Sequence, residues 1–298
     1  MDFLRPGTWA EALAAKAERP EAVPVQGGTD VMVELNFGLR RPPALLDLTR
    51  VTELAGWEEA PDGRLRVGAG VPYTRLIAEL GDRLPGLAQA ARTVGSPQIR
   101  NRGTVGGNLG AASPAGDGHP PLLAAGAAVE AESAARGVRM IPVEEFYLGV
   151  KRSALEPDEL IRAFWARPAA GPQYFAKVGT RNAMVIAVCS FAIALDPAAR
   201  RAGTGVGSAA PTPRRALAAE EFLAAELDWD AAAAGREAPL GDAVAARFGE
   251  LAAQAASPID DVRGTAAYRR HALAVLARRT LTWAWNDLQA ASRGRRTG

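Results

Sequence analysis

Two glycine pairs constrain this chain more than any other feature. The first ends an apolar run: Ala22-Val23-Pro24-Val25 gives way to Gln26-Gly27-Gly28-Thr29-Asp30, followed by Val31 and Met32. The second, about eighty residues on, opens the stretch "TVGGNLGAASPAGD" at 104–117. Glycine inside a strand or helix costs roughly 0.5–1 kcal/mol against alanine, so two adjacent pairs need a reason. A tight turn explains either pair taken alone. Ligand chemistry explains both together: glycines leave N–H groups uncovered and permit φ > 0, and successive N–H groups then form a concave nest for an anion. Nests at Gln26–Asp30 and at Thr104-Val105-Gly106-Gly107-Asn108 suit a ligand carrying a diphosphate and several hydroxyls. Ser113 and Asp117 lie farther along the second stretch. A carboxylate there cannot serve the phosphate but can accept hydrogen bonds from sugar or ribityl hydroxyls. A branched side chain at Gly106 or Gly107 is expected to fill the space the diphosphate needs.

Competing nucleotide motifs fail on inspection. No Gly-Lys-Ser/Thr occurs, so there is no P-loop. "VGAGVPY" at 67–73 lacks the third glycine of the dinucleotide fingerprint. "GTGVGS" at 203–208 has the wrong spacing and comes too late for a first strand–helix turn.

Patterning places these stretches in two α/β units and a later helical one. Thr8 and Glu11 form a capping box before a helix, "AVPVQ" reads as a strand, "VMVELNF" as a short helix ended by Gly38, and "ALLDL" as a buried strand. A second unit opens at "RLRVGAGV", where Leu65, Val67 and Ala69 alternate on one face. Helices are expected over 73–80 and 84–94, strands over "AAVEAES" and "ELIRAFWA", and a long polar loop over 95–121 between them. Loops of that length inside a domain usually carry function. "ARPAAGPQ" at 166–173 is the linker candidate. Beyond it strands come first and helices later, an α+β order. The last helix, about 265–291, carries Ala272, Val275, Leu276 and Trp283 as its core stripe. The expected domains are 1–170, with subdomains of about 1–55 and 56–170, then 171–292 and a solvated basic tail at 293–298.

Composition narrows the function classes. With 35 basic and 33 acidic residues among 298, the chain has no electrostatic footprint for nucleic acid or a membrane surface. The lone cysteine, Cys189, excludes an internal disulfide and any cysteine-ligated iron–sulfur cluster held by this chain alone; it reads as a small buried hydrophobe. His119 and His271 are the only histidines, too few for a His-based zinc site. No run reaches eighteen apolar residues and "MDFLRPGTW" lacks a secretory pattern, so a soluble cytoplasmic protein is expected.

Four stretches in this order, "VPVQGGTDVMVELN", "SPQIRNRGTVGGNLGAASPAGDGHPPLLAAGAAVE", "KVGTRNAMVIAV" and "DDVRGTAAYRRHALAVLARR", resemble the FAD-binding medium subunit of the molybdenum hydroxylases, the xanthine dehydrogenase and carbon monoxide dehydrogenase family. The resemblance covers nearly the whole chain. It implies an α+β protein: an FAD-binding domain of the vanillyl-alcohol oxidase and p-cresol methylhydroxylase type, with two α/β subdomains, then a C-terminal α+β domain. It places FAD against Pro24, Val25, Gln26, Gly27, Gly28, Thr29, Asp30, Val31 and Met32, and against Thr104, Val105, Gly106, Gly107 and Asn108. Ser113 and Asp117 follow on the second loop. A backbone contact falls on Ile161 or its neighbour Leu160, and a basic residue near the cofactor on Lys177. Val185 departs from the pattern, since relatives often carry an acid there.

In such assemblies a large subunit with the molybdenum cofactor oxidises the substrate. A small subunit with two 2Fe–2S clusters relays electrons to FAD, which passes them to NAD or another acceptor. The resemblance implies a dimer of heterotrimers and leans towards xanthine or purine oxidation. No side chain need then be a general acid or base, and no metal ligand is required of this chain. A stand-alone flavin oxidoreductase and a non-catalytic scaffold are the alternatives.

Overall fold

The structure is a computed structural model and describes residues 1–294. Near the N-terminus, β1 (Asp2–Leu4), α1 (Trp9–Glu18), β2 (Val23–Val25), α2 (Val31–Asn36) and β3 (Ala44–Asp47) form a three-stranded sheet in the order β1-β3-β2. Both pairings are parallel, so each return needs a crossover, and α1 and α2 supply helices for it. Every residue of the central strand β3 is buried, as a parallel strand covered on both faces should be. Thr8 caps α1 by accepting the Glu11 N–H, while the Glu11 carboxylate takes the Gly7 N–H. Gly38, at φ +67°, closes α2 in the left-handed conformation expected of it.

The second unit runs β4 (Trp57–Glu59), β5 (Leu65–Gly68), α3 (Tyr73–Glu79), α4 (Pro85–Thr93), α5 (Pro97–Arg102), α6 (Val105–Ala111), α7 (His119–Ala124), β6 (Ala128–Ser133), β7 (Gly137–Pro142), α8 (Val143–Phe146), β8 (Tyr147–Gly149), β9 (Arg152–Ser153) and β10 (Leu160–Ala166). Its antiparallel sheet has the order β4-β5-β10-β6-β7. Leu65 and Val67 are fully buried, as their alternation requires. Trp9 of α1 joins the two sheets through an indole hydrogen bond to Glu132 of β6 (2.7 Å). A single apolar core unites residues from Trp9 to Ala166.

One expectation needs correction. Residues 95–121 are not a structureless loop but contain α5, α6 and the start of α7. Ser96 and Thr104 cap the first two of these helices with their hydroxyls. Helices this short owe their existence to packing rather than to periodicity, which is why the pattern hid them.

Residues 167–172 connect β10 to β11 (Gln173–Val178), which pairs with β12 (Cys189–Asp196) and β13 (Arg201–Gly207) in an antiparallel sheet ordered β11-β12-β13. Then come α9 (Leu217–Glu226), α10 (Trp229–Ala233), α11 (Asp242–Gln254) and α12 (Ala266–Gly294) around a second core. Cys189 lies in that core, its thiol pushed up to about 12 by burial. On α12 the stripe differs from expectation: Trp285 is buried, whereas Trp283 is 43% exposed and packs beside Tyr174. Of the expected tail, Arg293 ends within α12, and residues 295–298 lie outside the described residues.

The seam between the two cores is built mostly from small residues, with Phe175 as the one large side chain in its buried cluster. Ala90 of α4, Ala124 of α7, Phe175 of β11 and Ala192 of β12 form a separate small cluster there. Gly203 and Gly205 of β13 lie against α7; a Cβ on either would sit 2.0 Å from the carbonyl oxygen of Ala124 or Pro120. The late glycine run thus serves close packing. Gly205→Ala is expected to part the sheet from α7 at a cost of about 1–3 kcal/mol, typical of overpacking. Thermal melting and protease nicking at 167–172 measure it: a lower melting temperature with faster nicking is expected.

Candidate functional site

The turn from β2 to α2 presents its backbone rather than its side chains. Among the described residues, no acceptor meets the N–H groups of Gly27, Gly28, Thr29 or Asp30. Gly28 sits at φ +71°, a conformation glycine adopts freely, and Asp30 makes no side-chain cap. Unpaired N–H groups in a row at a left-handed turn have the geometry of an anion nest. Pro24 and Met32 flank it at the surface, with Val25, Gln26 and Val31 partly buried. The Gln26 amide oxygen is buried without a donor.

The second glycine stretch lies directly against the first. A Cβ on Gly27 would fall 2.1 Å from the Arg102 carbonyl oxygen, and one on Gly103 would fall 3.3 Å from the Thr29 hydroxyl. The structure therefore brings the two glycine loops together, although about eighty residues separate them in sequence. Thr104 accepts the Gly107 N–H (2.9 Å) at the start of α6, while the Gly106 N–H has no acceptor among the described residues.

The two glycines of this pair have different jobs. Gly107 is exposed, and a side chain there would meet only the Thr104 hydroxyl at 3.2 Å. Gly106 is buried, and its Cβ would fall 2.5 Å from the Ala69 carbonyl oxygen. The space at Gly106 belongs to protein packing. Only Gly107 fits the expectation of a side chain intruding on a ligand.

Beyond α6 the chain turns through Ser113, whose hydroxyl accepts the Ala115 N–H (3.4 Å), to Asp117. Asp117 is buried, with Oδ2 receiving the Lys177 ammonium (2.6 Å) and the Thr93 hydroxyl (3.1 Å). Its Oδ1 is buried without a donor. Burial pushes the Asp117 carboxyl up, and the adjacent Lys177 ammonium pulls the other way. Lys177 reaches in from β11, so the later part of the chain contributes directly to this site. Its Nζ also donates to the carbonyls of Thr93 and Val185, both at 3.1 Å. Because Val185 acts through its backbone, the missing acid leaves this contact intact.

Leu160 and Ile161 lie on β10, and Ile161 is the one that reaches α6: its Cδ1 would be 3.8 Å from a Cβ on Gly110. The strand bulges between Ile161 and Ala163, a frequent device beside binding sites. Sequence reasoning missed Thr93, Tyr73 and the packing role of His119. The Tyr73 hydroxyl is buried without a partner, and burial with the nearby Asp117 charge raises its pKa. Nothing in local pattern ties Thr93 or Tyr73 to Asp117, 24 and 44 positions away.

His119 supports the loop from behind. It is wholly buried, and its Nδ1 is 2.6 Å from the Tyr147 hydroxyl. Burial lowers its pKa from 6.5 to about 3. The folded protein thus takes up this proton less readily than the unfolded chain. The stabilisation is complete above about pH 6.5 and is lost as pH falls from there towards 3. His119→Gln is expected to lose less thermal stability than the wild type between pH 7.5 and 5, by parallel melting curves. Equal losses would show that His119 does not titrate this way.

An array of free N–H groups, an open glycine face and an orphaned buried carboxylate oxygen fit a diphosphate-bearing cofactor with hydroxyl groups. Among the described residues no cluster of His, Cys, Asp and Glu is placed to hold a metal ion, and no helix is long and apolar enough to cross a membrane.

Comparison with known proteins agrees with this geometry. Residues 1–165 match the family described as FAD binding domain in molybdopterin dehydrogenase, and 174–284 match CO dehydrogenase flavoprotein C-terminal domain. The chain is 31% identical to a xanthine dehydrogenase FAD-binding subunit of Escherichia coli O157:H7, over 94% of each chain. It is 30% identical to the nicotine 6-hydroxylase medium subunit of Paenarthrobacter nicotinovorans, over 86% of this chain and 87% of that one. Among solved structures, a chain of the carbon monoxide dehydrogenase from Hydrogenophaga pseudoflava superposes with a TM-score of 0.85 at 25% identity, covering 96% of this chain and 98% of that one.

Proposed function

The chain belongs to the family of FAD-binding subunits of molybdopterin dehydrogenases, and from that premise we propose that it carries electrons from iron–sulfur clusters of a partner subunit, through FAD held between its two glycine loops, to NAD or another acceptor. The observation that carries this reading is the row of unpaired N–H groups at 27–30, packed against the second loop.

In this reading the backbone of Pro24–Met32 and Thr104–Asn108 grips the diphosphate. Ser113 and Asp117 Oδ1 accept from hydroxyls of the cofactor, Ile161 contributes backbone, and Lys177 fixes the Asp117 carboxylate in place. FAD, when bound, supplies the change between one-electron and two-electron transfer, and the protein supplies position and electrostatics. The FAD-binding part ends at about 170, and the C-terminal part runs over 171–292.

The relatives are named for xanthine and nicotine chemistry, and a solved relative for carbon monoxide. One scaffold serving such different substrates supports assigning substrate choice to a molybdenum-bearing large subunit. A small 2Fe–2S subunit completes a heterotrimer, paired as a dimer, and xanthine is the first substrate to try. Purification from the native host tests this. Partner chains, molybdenum and iron are expected with the protein, and xanthine should bleach the flavin absorbance. A chain that copurifies with no partner and reduces its own flavin with a small substrate would instead be a stand-alone oxidoreductase.

A further inference from the structure

The stretch "DDVRGTAAYRRHALAVLARR" lies far from the glycine loops in sequence, yet one of its side chains is linked through a single residue to the 113–117 turn that follows the second loop. Arg269, on α12, is 4% exposed. Its guanidinium donates to Asp261 Oδ1 (2.5 Å), to the Ser208 carbonyl (2.7 Å) and to the Gly264 carbonyl (3.4 Å). Ser208 stands just after β13 at φ +57°, a left-handed conformation that a serine keeps only when its surroundings impose it.

Held in that conformation, Ser208 makes two further contacts. Its N–H donates to the Pro114 carbonyl (2.8 Å), inside the 113–117 turn that carries Ser113 and Asp117. Its hydroxyl donates to the Ala187 carbonyl (2.6 Å), two residues beyond the Val185 carbonyl that receives Lys177. One buried residue thus fastens both segments that flank the Asp117–Lys177 pair.

We propose that Arg269 is a positioning residue for FAD binding, acting through Ser208 to hold the 113–117 turn in its cofactor-binding shape. The proposal rests on the FAD reading above. It makes the C-terminal part an energetic contributor to cofactor affinity, with Asp261 anchoring the guanidinium. Coupling between sites is reciprocal, so FAD must in turn steady Ser208.

FAD titration by flavin fluorescence, together with hydrogen exchange, tests this on the full chain. Arg269→Met is expected to weaken FAD binding about tenfold, within the usual range for coupled sites. Arg269→Lys, which keeps a donor, should recover part of the loss. In the wild type, FAD should slow amide exchange in peptides covering 205–210, although none of these residues belongs to a glycine loop. A merely structural arginine would leave that exchange unchanged by FAD. Wild-type FAD affinity in a folded Arg269→Met variant overturns the proposal. So does FAD-independent exchange at 205–210, which decides the matter even if Arg269→Met does not fold. A wild-type chain that takes up no FAD overturns the cofactor assignment and this proposal together.

Discussion

Gly27→Ala is expected to yield a folded protein that no longer retains FAD. The added methyl would lie 2.1 Å from the Arg102 carbonyl oxygen and 2.7 Å from its carbon. Real Cβ atoms do not approach backbone so closely, so one glycine loop must move off the other. Overpacking of this kind costs about 1–3 kcal/mol. The chain can survive that through its two separate cores. The cofactor loses more in the proposed arrangement, where N–H groups on both loops converge on one diphosphate and a displacement of an ångström breaks several hydrogen bonds at once. Gly56→Ala is the control: a Cβ there meets nothing within 4 Å, and FAD content should match the wild type. Flavin absorbance per chain after gel filtration reads both variants. Stoichiometric flavin in Gly27→Ala would show that contact between the loops is not needed for binding.

The second large effect concerns Asp117 and Lys177, whose side chains are 9% and 10% exposed. Removing one partner of a buried ion pair leaves an uncompensated charge and typically costs about 3–5 kcal/mol. Asp117→Ala strands the Lys177 ammonium among the Thr93 and Val185 carbonyls, which blunt the penalty without removing it. At about 2–4 °C per kcal/mol for a chain this large, the melting temperature should fall by on the order of 10 °C. Asp117→Asn combined with Lys177→Met should recover much of that loss, because no charge is then left unpaired. The double variant should still bind FAD more weakly than the wild type, since the amide oxygen that replaces the orphaned carboxylate Oδ1 is neutral and accepts a hydroxyl less strongly. A double variant less stable than Asp117→Ala would mean that the pair contributes packing rather than charge balance.

Much of this architecture is legible in the sequence, and the reason is local. Thr8 before a helix, Leu65 and Val67 alternating along β5, and Gly38 after α2 each act within a few residues of themselves. The helices at 97–102, 105–111 and 119–124 escaped because they have no room for periodicity and depend on tertiary contacts. Spacing puts Trp283 on the α12 core stripe, whereas the inward tryptophan is Trp285, whose indole donates to the Ala238 carbonyl (2.7 Å). That partner is 47 positions away, and spacing along one helix cannot reveal it.

At the site, the glycine pairs announced a nest but not its division of labour. Gly106 is glycine for Ala69, and Gly27 for Arg102, while Gly107 keeps an exposed face and Gly28 is glycine for its left-handed φ of +71°. Only the folded chain distinguishes a glycine that admits backbone from one that admits a ligand. Lys177 and Asp117, 60 positions apart, were both expected near the cofactor. That they are bound to each other, and that Thr93 joins them, follows from β11 docking against α4.

In the function proposed here, free N–H groups on two touching loops hold the diphosphate of FAD. Equilibrium dialysis of the purified wild-type chain against FAD and, separately, against riboflavin tests it most directly, because the two ligands share the flavin ring and differ in the phosphates and adenosine. Uptake of one FAD per chain, with riboflavin held far more weakly, is the predicted result. A chain that takes up no FAD, or that retains riboflavin as tightly as FAD, would contradict it.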